Sequence, residues 1–281
     1  MSSDWSVAAV HCSAGGAHAL DDRWGVAGGL AWVLDGATDL SGDVLFPGAQ
    51  SNASWLAERV SRALSLGAVA GSATDRLAAA IAAADAEATD LGVAEVIGFP
   101  TAVGILASPV DGSGGVGELA GIEFTVIGDC GAVVEVVRDG VVGVELITDP
   151  AWAPGAPNAA AGGPPWSTLS AEGLNEKLQA SRRRRNTPEG RWIIRREPEA
   201  ATYAHRETVH STTGRVVLFS DGAERALRRA GFDATALLAA AFDDPDGFVA
   251  DLRAWEDTAP TEIPSWWTPH DDVTILALTV A

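Results

Sequence analysis

Five acidic spots in the chain share one form, an apolar run that begins or ends at aspartate. They are Leu20-Asp21-Asp22, Leu34-Asp35-Gly36, Ile127-Gly128-Asp129-Cys130-Gly131, Phe219-Ser220-Asp221-Gly222 and His270-Asp271-Asp272-Val273. Singly, each has an ordinary explanation, because Asp-Gly is a strong turn signal. Together they allow more. Carboxylates at the ends of neighbouring strands can converge on one rim of a sheet, and several negative charges gathered there are costly unless cations neutralise them.

The donor set points to the kind of cation. No HExxH, no paired histidines and no thiolate cluster accompany these positions. All-oxygen ligands suit a hard ion, Mg²⁺ or Mn²⁺, with waters completing the shell. The calcium loop pattern D-x-[DN]-x-[DN]-G-x₅-E is absent. Two such ions about 3.5–4 Å apart could share one carboxylate and activate a water for in-line attack on phosphorus. A Cys-x₅-Arg nucleophile loop is also absent, so this chemistry needs no covalent intermediate.

The rest of the composition narrows the partners. Lys+Arg number 19 against 38 Asp+Glu, a formal charge of −19. Such an excess of acid disfavours nucleic acid, whose affinity for proteins comes mainly from Lys and Arg, and it disfavours anionic lipid. The two cysteines, Cys12 and Cys130, supply neither a disulfide framework nor a CxxC motif. A cytoplasmic location is therefore expected, as is a monomer. The start of the chain, MSSDWSVAAVHCS, lacks the basic-then-apolar pattern of a secretory signal. With 47% hydrophobic residues, the 281-residue chain can bury a sizeable core.

The elements that must position the aspartates follow from the apolar pattern. Residues 5–11 predict a strand, and 24–34 predict two more around a Gly28-Gly29 turn. Helical spacing of Trp55, Leu56, Val60, Ala63 and Leu64 predicts a helix over 52–66, capped by Ser51 or Asn52. A second helix is expected over 74–91, capped by Thr74 or Asp75. From Thr101, four β-rich runs separated by short Gly-containing turns predict an antiparallel meander. Residues 149–166, rich in Pro, Gly and Ala, read as a flap or linker, followed by a helix at 169–182. Late strands are expected at 215–220 and 273–280, with helices near 222–230, 234–242 and 246–256. One domain over 1–281 is expected, with a flap or insertion at about 149–190.

In this order and context, DDRWGV, VLDG, PTAVGIL, VIGDCGAV, LFSDG and HDDVTIL resemble protein phosphatase type 2C, the metal-dependent Ser/Thr phosphatases. The resemblance runs from about residue 5 to 280. It implies an α+β fold, a four-layer α-β-β-α sandwich of two antiparallel sheets flanked by helix pairs. It also implies two Mn²⁺ or Mg²⁺ ions, with room for a third, at one end of the sheets. Carried over position by position, Asp35 would bridge two ions and the Gly36 carbonyl would bind one. Asp21 would serve the second ion, where the family usually has Glu, and Asp22 would hold a metal-bound water. Asp221 and Asp271 would complete the first ion. Asp129 matches a position that contributes to a third ion in relatives, and Thr101 matches a Thr supporting the core nearby. The implied substrate is a phosphoserine or phosphothreonine protein, with a Ser/Thr kinase as the implied partner.

The departures from the pattern concern the substrate phosphate. Where the family often places Arg, this chain has Ala17, with His18 beside it. Arg23, His18 and the run Arg182 to Arg185 are the remaining candidates for phosphate contact, although four arginines at a helix end can equally be a solvated cationic terminus. Ala37-Thr38-Asp39 stands where the family has a His-Gly-Gly or Met-Gly-Gly turn, and Arg225 and Asp272 replace the usual Asp and Asn. Cys130 reads as a small buried residue, and Trp266-Trp267 as either core or site entrance. Three alternatives stay open: a protein phosphatase, a phosphatase-fold binding or regulatory module with little turnover, and a small-molecule phosphatase.

Overall fold

The fold follows from strand alternation and two helix pairs that bury apolar stripes on either side of the strands. In the computed structural model of the chain, the described residues are all except 1–3, 16–18, 38–42, 68–69, 94–98, 111–119, 154–169, 229–231, 259–269 and 281. Nine strands are described: β1 Trp5–Ser13, β2 Arg23–Ala27, β3 Leu30–Ala37, β4 Thr101–Pro109, β5 Ala120–Ile127, β6 Gly131–Arg138, β7 Val141–Thr148, β8 His205–Phe219 and β9 Val273–Val280. The described α-helices are α1 Asn52–Leu66, α2 Ala73–Asp90, α3 Ala171–Arg183, α4 Asp221–Glu224, α5 Ala234–Asp243 and α6 Pro245–Thr258.

Every named strand pair is antiparallel, and β8 belongs to two sheets. Its first half pairs with β5, giving the order β2-β3-β4-β5-β8. Its second half lies between β6 and β9, giving β7-β6-β8-β9-β1. The switch falls at Thr212 to Arg215, where Gly214 takes a φ of +84°. There a Cβ would meet the Val280 side chain at 3.2 Å. Only glycine adopts this left-handed turn without cost, so the crossing between sheets is written at one residue.

Three apolar clusters fill the layers. Leu34, Leu56, Val60, Leu77 and Ile81 pack α1 and α2 against the first sheet. Val33, Ile105, Phe124, Val134, Leu218 and Leu276 fill the space between the sheets. Val217, Phe219, Leu237, Leu252 and Ile275 pack α5 and α6 against the second sheet. The four-layer α-β-β-α sandwich expected from the resemblance is the observed architecture.

Several expectations need correction. The second helix is capped by Ser72, whose Oγ accepts from Asp75 N at 3.2 Å while Asp75 Oδ2 accepts from Ser72 N at 3.0 Å. This reciprocal box satisfies two free donors, which Thr74 could not do. The meander is interrupted: β4–β5 and β6–β7 are hairpins, but the chain changes sheets between them at Gly128-Asp129-Cys130. β8 begins ten residues earlier than its apolar run, because His205 to Gly214 form a polar edge strand of the first sheet. The helix expected at 222–230 is the short α4, continued as a 3-10 turn Arg225–Arg228. Most of the 149–166 segment lies outside the described residues. No helix among the described residues is long and apolar enough to cross a membrane.

Gly214→Ala is expected to destabilise the fold by about 1–2 kcal/mol, read as a lower urea midpoint at unchanged slope. Gly143→Ala, on open β7 with nothing within 4 Å of the new methyl, is expected to leave the midpoint unchanged or slightly raised.

Candidate metal centre

The hairpin register brings the first acids together. The two left-handed residues Gly28 and Gly29, with φ of +54° and +71°, make the tight turn that suits β-strand twist. That turn sets Arg23 opposite Leu34. One residue further out on each strand, Asp22 and Asp35 come abreast. The same logic operates in the second sheet. Gly131 faces Phe219, so two residues beyond that pairing Asp129 and Asp221 come abreast. Asp271-Asp272 leads directly into β9, whose Ile275 also faces Phe219. Both sheets thus deliver carboxylates at one end of the sandwich, where the Asp35 and Asp221 side chains lie close to each other.

Burial and mutual repulsion dominate the electrostatics. Asp35 is pushed well above the usual carboxylate range, first by burial and then by the charges of Asp221, Asp22, Asp129 and Asp271. Asp22, only 1% exposed, is also pushed well up, mainly by burial. Neither of its oxygens has a hydrogen-bond partner. The Ser220 and Thr274 hydroxyls lie near enough to favour its charged form, but Ser220 Oγ accepts from Thr274 N at 3.0 Å and Thr274 Oγ1 turns to Cys12 Sγ at 3.2 Å. Burial raises Asp129, Asp221 and Asp271 to about 6. The Cys130 thiol is raised by burial and by the Asp35 charge, which makes it an inert core group.

Neighbouring residues fix the loops around these acids. Asp21 lies against Gly36: a Cβ on Gly36 would approach the Asp21 Cβ to 2.9 Å and its carbonyl oxygen to 3.0 Å. Ser51, the cap of α1, accepts from Ser54 N at 2.8 Å and donates to Asp21 Oδ1. Asp272 accepts from Gly15 N at 2.8 Å and from Asp21 N at 2.6 Å, so it staples the segment before β2 to β9. Thr101 is buried at the start of β4, where it faces Ala37.

The phosphate candidates fare differently. Arg23 is committed to structure, donating from Nε to Glu58 Oε2 at 2.7 Å and from Nη1 to the Leu20 and Asp22 carbonyls at 2.8 and 2.7 Å. These bonds engage Nε and Nη1, which tie Arg23 to α1 and to the loop before β2. His18, Ala17, Thr38, Asp39 and Trp266-Trp267 lie outside the described residues. A cleft of 740 Å³ opens beside Asp22, lined among others by Cys12, Arg23, Trp24, Trp55 and Glu58.

The use of Arg225 was not legible in the residue order. It is 3% exposed and donates from Nη1 to the buried Glu256 at 3.1 Å and from Nη2 to Asp271 Oδ2 at 2.5 Å. Arg253 supports it, donating to Glu256 Oε2 at 2.8 Å and to the Asp271 carbonyl. Helix α6 thereby reaches one of the clustered acids. Only the three-dimensional contact reveals this, since Arg225, Glu256 and Asp271 are far apart in sequence.

The residues fit a hard cation in chemistry. Several oxygen donors crowd one end of the sandwich, and the two Asp22 oxygens are buried without a partner. Among the described residues, however, no three His, Cys, Asp or Glu side chains stand together in metal-holding geometry. Asp271 is held by Arg225 and Asp21 by Ser51.

Comparison with known proteins agrees with the architecture. No family model matches the chain, and no curated protein matches it in sequence. Solved structures do match. A serine-threonine phosphatase 2C from Toxoplasma gondii aligns at a TM-score of 0.55 with 10% identity, covering 100% of this chain and 95% of that one. A phosphatase from a pathogenic strain of Toxoplasma gondii aligns at 0.51 with 13% identity, over 99% and 95%. The catalytic domain of the serine threonine protein phosphatase PstP, in complex with two manganese ions, aligns at 0.48 with 16% identity, over 100% and 99%. The class of protein that the fold defines is the type 2C phosphatase fold. At these identities the likeness is one of fold.

The raised carboxyls set a pH dependence. A folded-state value near 6 for Asp129, Asp221 and Asp271, against about 4 in the unfolded chain, means that the folded chain keeps protons the unfolded chain has released. Stability from this source is full below the unfolded value and is lost as pH rises through the folded one. In excess chelator the chain is expected to melt higher near pH 5 than near pH 8, and added Mg²⁺ near pH 8 is expected to recover the difference. Scanning calorimetry measures both. Equal melting temperatures at the two pH values in chelator would contradict the mutual repulsion.

Proposed function

We propose that the chain is a Mg²⁺- or Mn²⁺-dependent phosphatase that hydrolyses phosphate monoesters, with phosphoserine and phosphothreonine of proteins as the substrate class. The observation that carries this is the convergence of aspartates from both sheets at one end of a type 2C phosphatase fold, with the Asp22 oxygens buried and unpartnered. Asp35 and Asp221, already side by side, would hold the ions with Asp21, Asp271 and the Gly36 carbonyl, and Asp129 would serve a third. Bound there, divalent ions neutralise the clustered carboxylates, lower the pKa of water and screen the phosphate oxygens.

The chain's own residues do the rest. Asp22 offers two free acceptor oxygens and orients the attacking water through them. Asp272 and Ser51 keep Asp21 and the segment before β2 in place. The cleft beside Asp22 gives the phosphorylated segment a route to the site. Water oxygen bonds to phosphorus as the ester P–O bond breaks; the departing side-chain oxygen gains a proton and inorganic phosphate is released. A Ser/Thr kinase is the class of enzyme that must supply such a substrate. A monomer in a reducing cytoplasm accords with two unpaired cysteines, one of them buried and inert.

One observation favours a second reading, a binding or regulatory module with little turnover. Arg225 already neutralises Asp271, and among the described residues no three carboxylates stand in metal-holding geometry.

Mn²⁺-stimulated hydrolysis of an aryl phosphate and of phosphothreonine peptides is expected, and Asp35→Asn is expected to lower it by more than about a hundredfold. Undiminished hydrolysis in excess chelator would overturn the proposal. Calorimetric Mn²⁺ binding without turnover on any phosphosubstrate would select the second reading.

A further inference from the structure

The chain is strongly acidic, yet guanidinium groups gather at one point beside the aspartates. The 3-10 turn Pro150–Trp152 follows β7, and both Arg185 and Arg191 lie over the Trp152 ring, each 4.6 Å from its centroid. Arg185 Nη1 and Arg191 Nε are buried with no hydrogen-bond partner. A buried guanidinium donor without an acceptor is costly, and stacking on an aromatic face replaces none of the lost hydrogen bonds. Both guanidiniums interact with the charge of Asp129, at the carboxylate end of the sandwich. Burial and the neighbouring Arg191 and Arg182 charges bring Arg185 down to about 10. Asp129 and, for Arg191, Asp149 offset part of this charge, but the two buried N–H groups still lack an acceptor.

The backbone holds these arginines firmly. β5 leaves β4 after Ile127 pairs with Gly104. Ile194 then takes its place, exchanging two hydrogen bonds of 2.9 Å with Ala102. Ala102 faces Gly36 across β4 and β3, so this bridge fixes the 191–194 segment at the site end of the first sheet. Asn186, at a φ of +55°, closes the intervening loop. Its N–H donates to the Arg191 carbonyl at 3.1 Å, its Oδ1 accepts from Ile193 N at 2.8 Å and its Nδ2 donates to Glu197 at 2.8 Å. Gly190 packs so tightly that a Cβ would fall 1.5 Å from the Arg184 carbonyl oxygen. Arg185 and Arg191 are thus preset, not mobile surface cations.

We propose that Arg185 and Arg191, backed by Trp152, form the subsite that receives the phosphate group of the substrate. Donors from two separate guanidiniums, not one planar fork, suit the oxygens of a tetrahedral oxyanion. The subsite supplies from the loop that follows α3 the cation that the sequence lacks at Ala17. It rests on the phosphatase reading for the identity of the ligand, but not for the existence of an oxyanion site.

The test is calorimetric titration of the full chain with inorganic phosphate in Mg²⁺ buffer, paired with phosphopeptide kinetics. Arg185→Met and Arg191→Met are each expected to weaken phosphate binding by about tenfold or more and to raise KM by a similar factor, with Mg²⁺ affinity unchanged. Arg183→Met, which removes an exposed charge from the end of α3, just before the subsite loop, is expected to change neither. Equal phosphate affinity in the wild type and the double variant, or no phosphate binding by the wild type, overturns the subsite. Hydrolysis with unchanged KM in the variants sinks the subsite and leaves the phosphatase reading standing. Phosphate binding that is lost in the variants, with no hydrolysis by any form, supports the subsite and sinks the phosphatase reading.

Discussion

Repulsion between buried carboxylates is the constraint around which this molecule is arranged. Asp22, Asp35, Asp129, Asp221 and Asp271 occupy one end of the sandwich, and burial and neighbouring like charge raise the carboxyl groups. No local preference would place them so. They are held there by backbone pairing of strands whose apolar faces fill three core layers. Hydrophobic burial across those layers offsets the electrostatic cost at the rim. On the proposed reading, a divalent ion held among these carboxylates would relieve that repulsion.

The crossing of β8 makes the cluster possible. Two separate sheets would leave Asp22 and Asp35 in one body and Asp129, Asp221 and Asp271 in another. Because β8 pairs with β5 along its first half and with β6 and β9 along its second, the sheets share a strand and cannot slide independently. Gly214 is the joint. The approach of Asp35 to Asp221 is made across that shared frame.

Positive charge is scarce, and its placement matters more than the net charge. Arg225 is spent on an acid pair, bridging Glu256 and Asp271 in a setting where an unpaired ion would be costly. Arg23 is spent on carbonyls that shape the loop before β2. Arg185 and Arg191 stand apart from both, half-buried over Trp152, each with one buried N–H left without a partner. The first two arginines stabilise what the chain already contains, whereas the last two are arranged for a group the chain does not contain.

The amino-acid order alone determined much of the framework. The Gly28-Gly29 turn, helix α1 with its Ser51 cap and strand β9 were legible because glycine conformation, capping chemistry and apolar periodicity are local. The aspartates were legible as strand-end residues for the same reason. Their meeting was not, because it depends on pairing registers between segments as far apart in the chain as Ser13 and Val273. The polar half of β8 was hidden because an edge strand need not be apolar. The engagement of Arg225 by Glu256 and Asp271, the stapling by Asp272 and the stacking of Arg185 and Arg191 on Trp152 were settled only by tertiary structure. Burial converts an ordinary charged side chain into a paired, strained or ligand-seeking one, and burial is a property of the packed chain, not of its residue order.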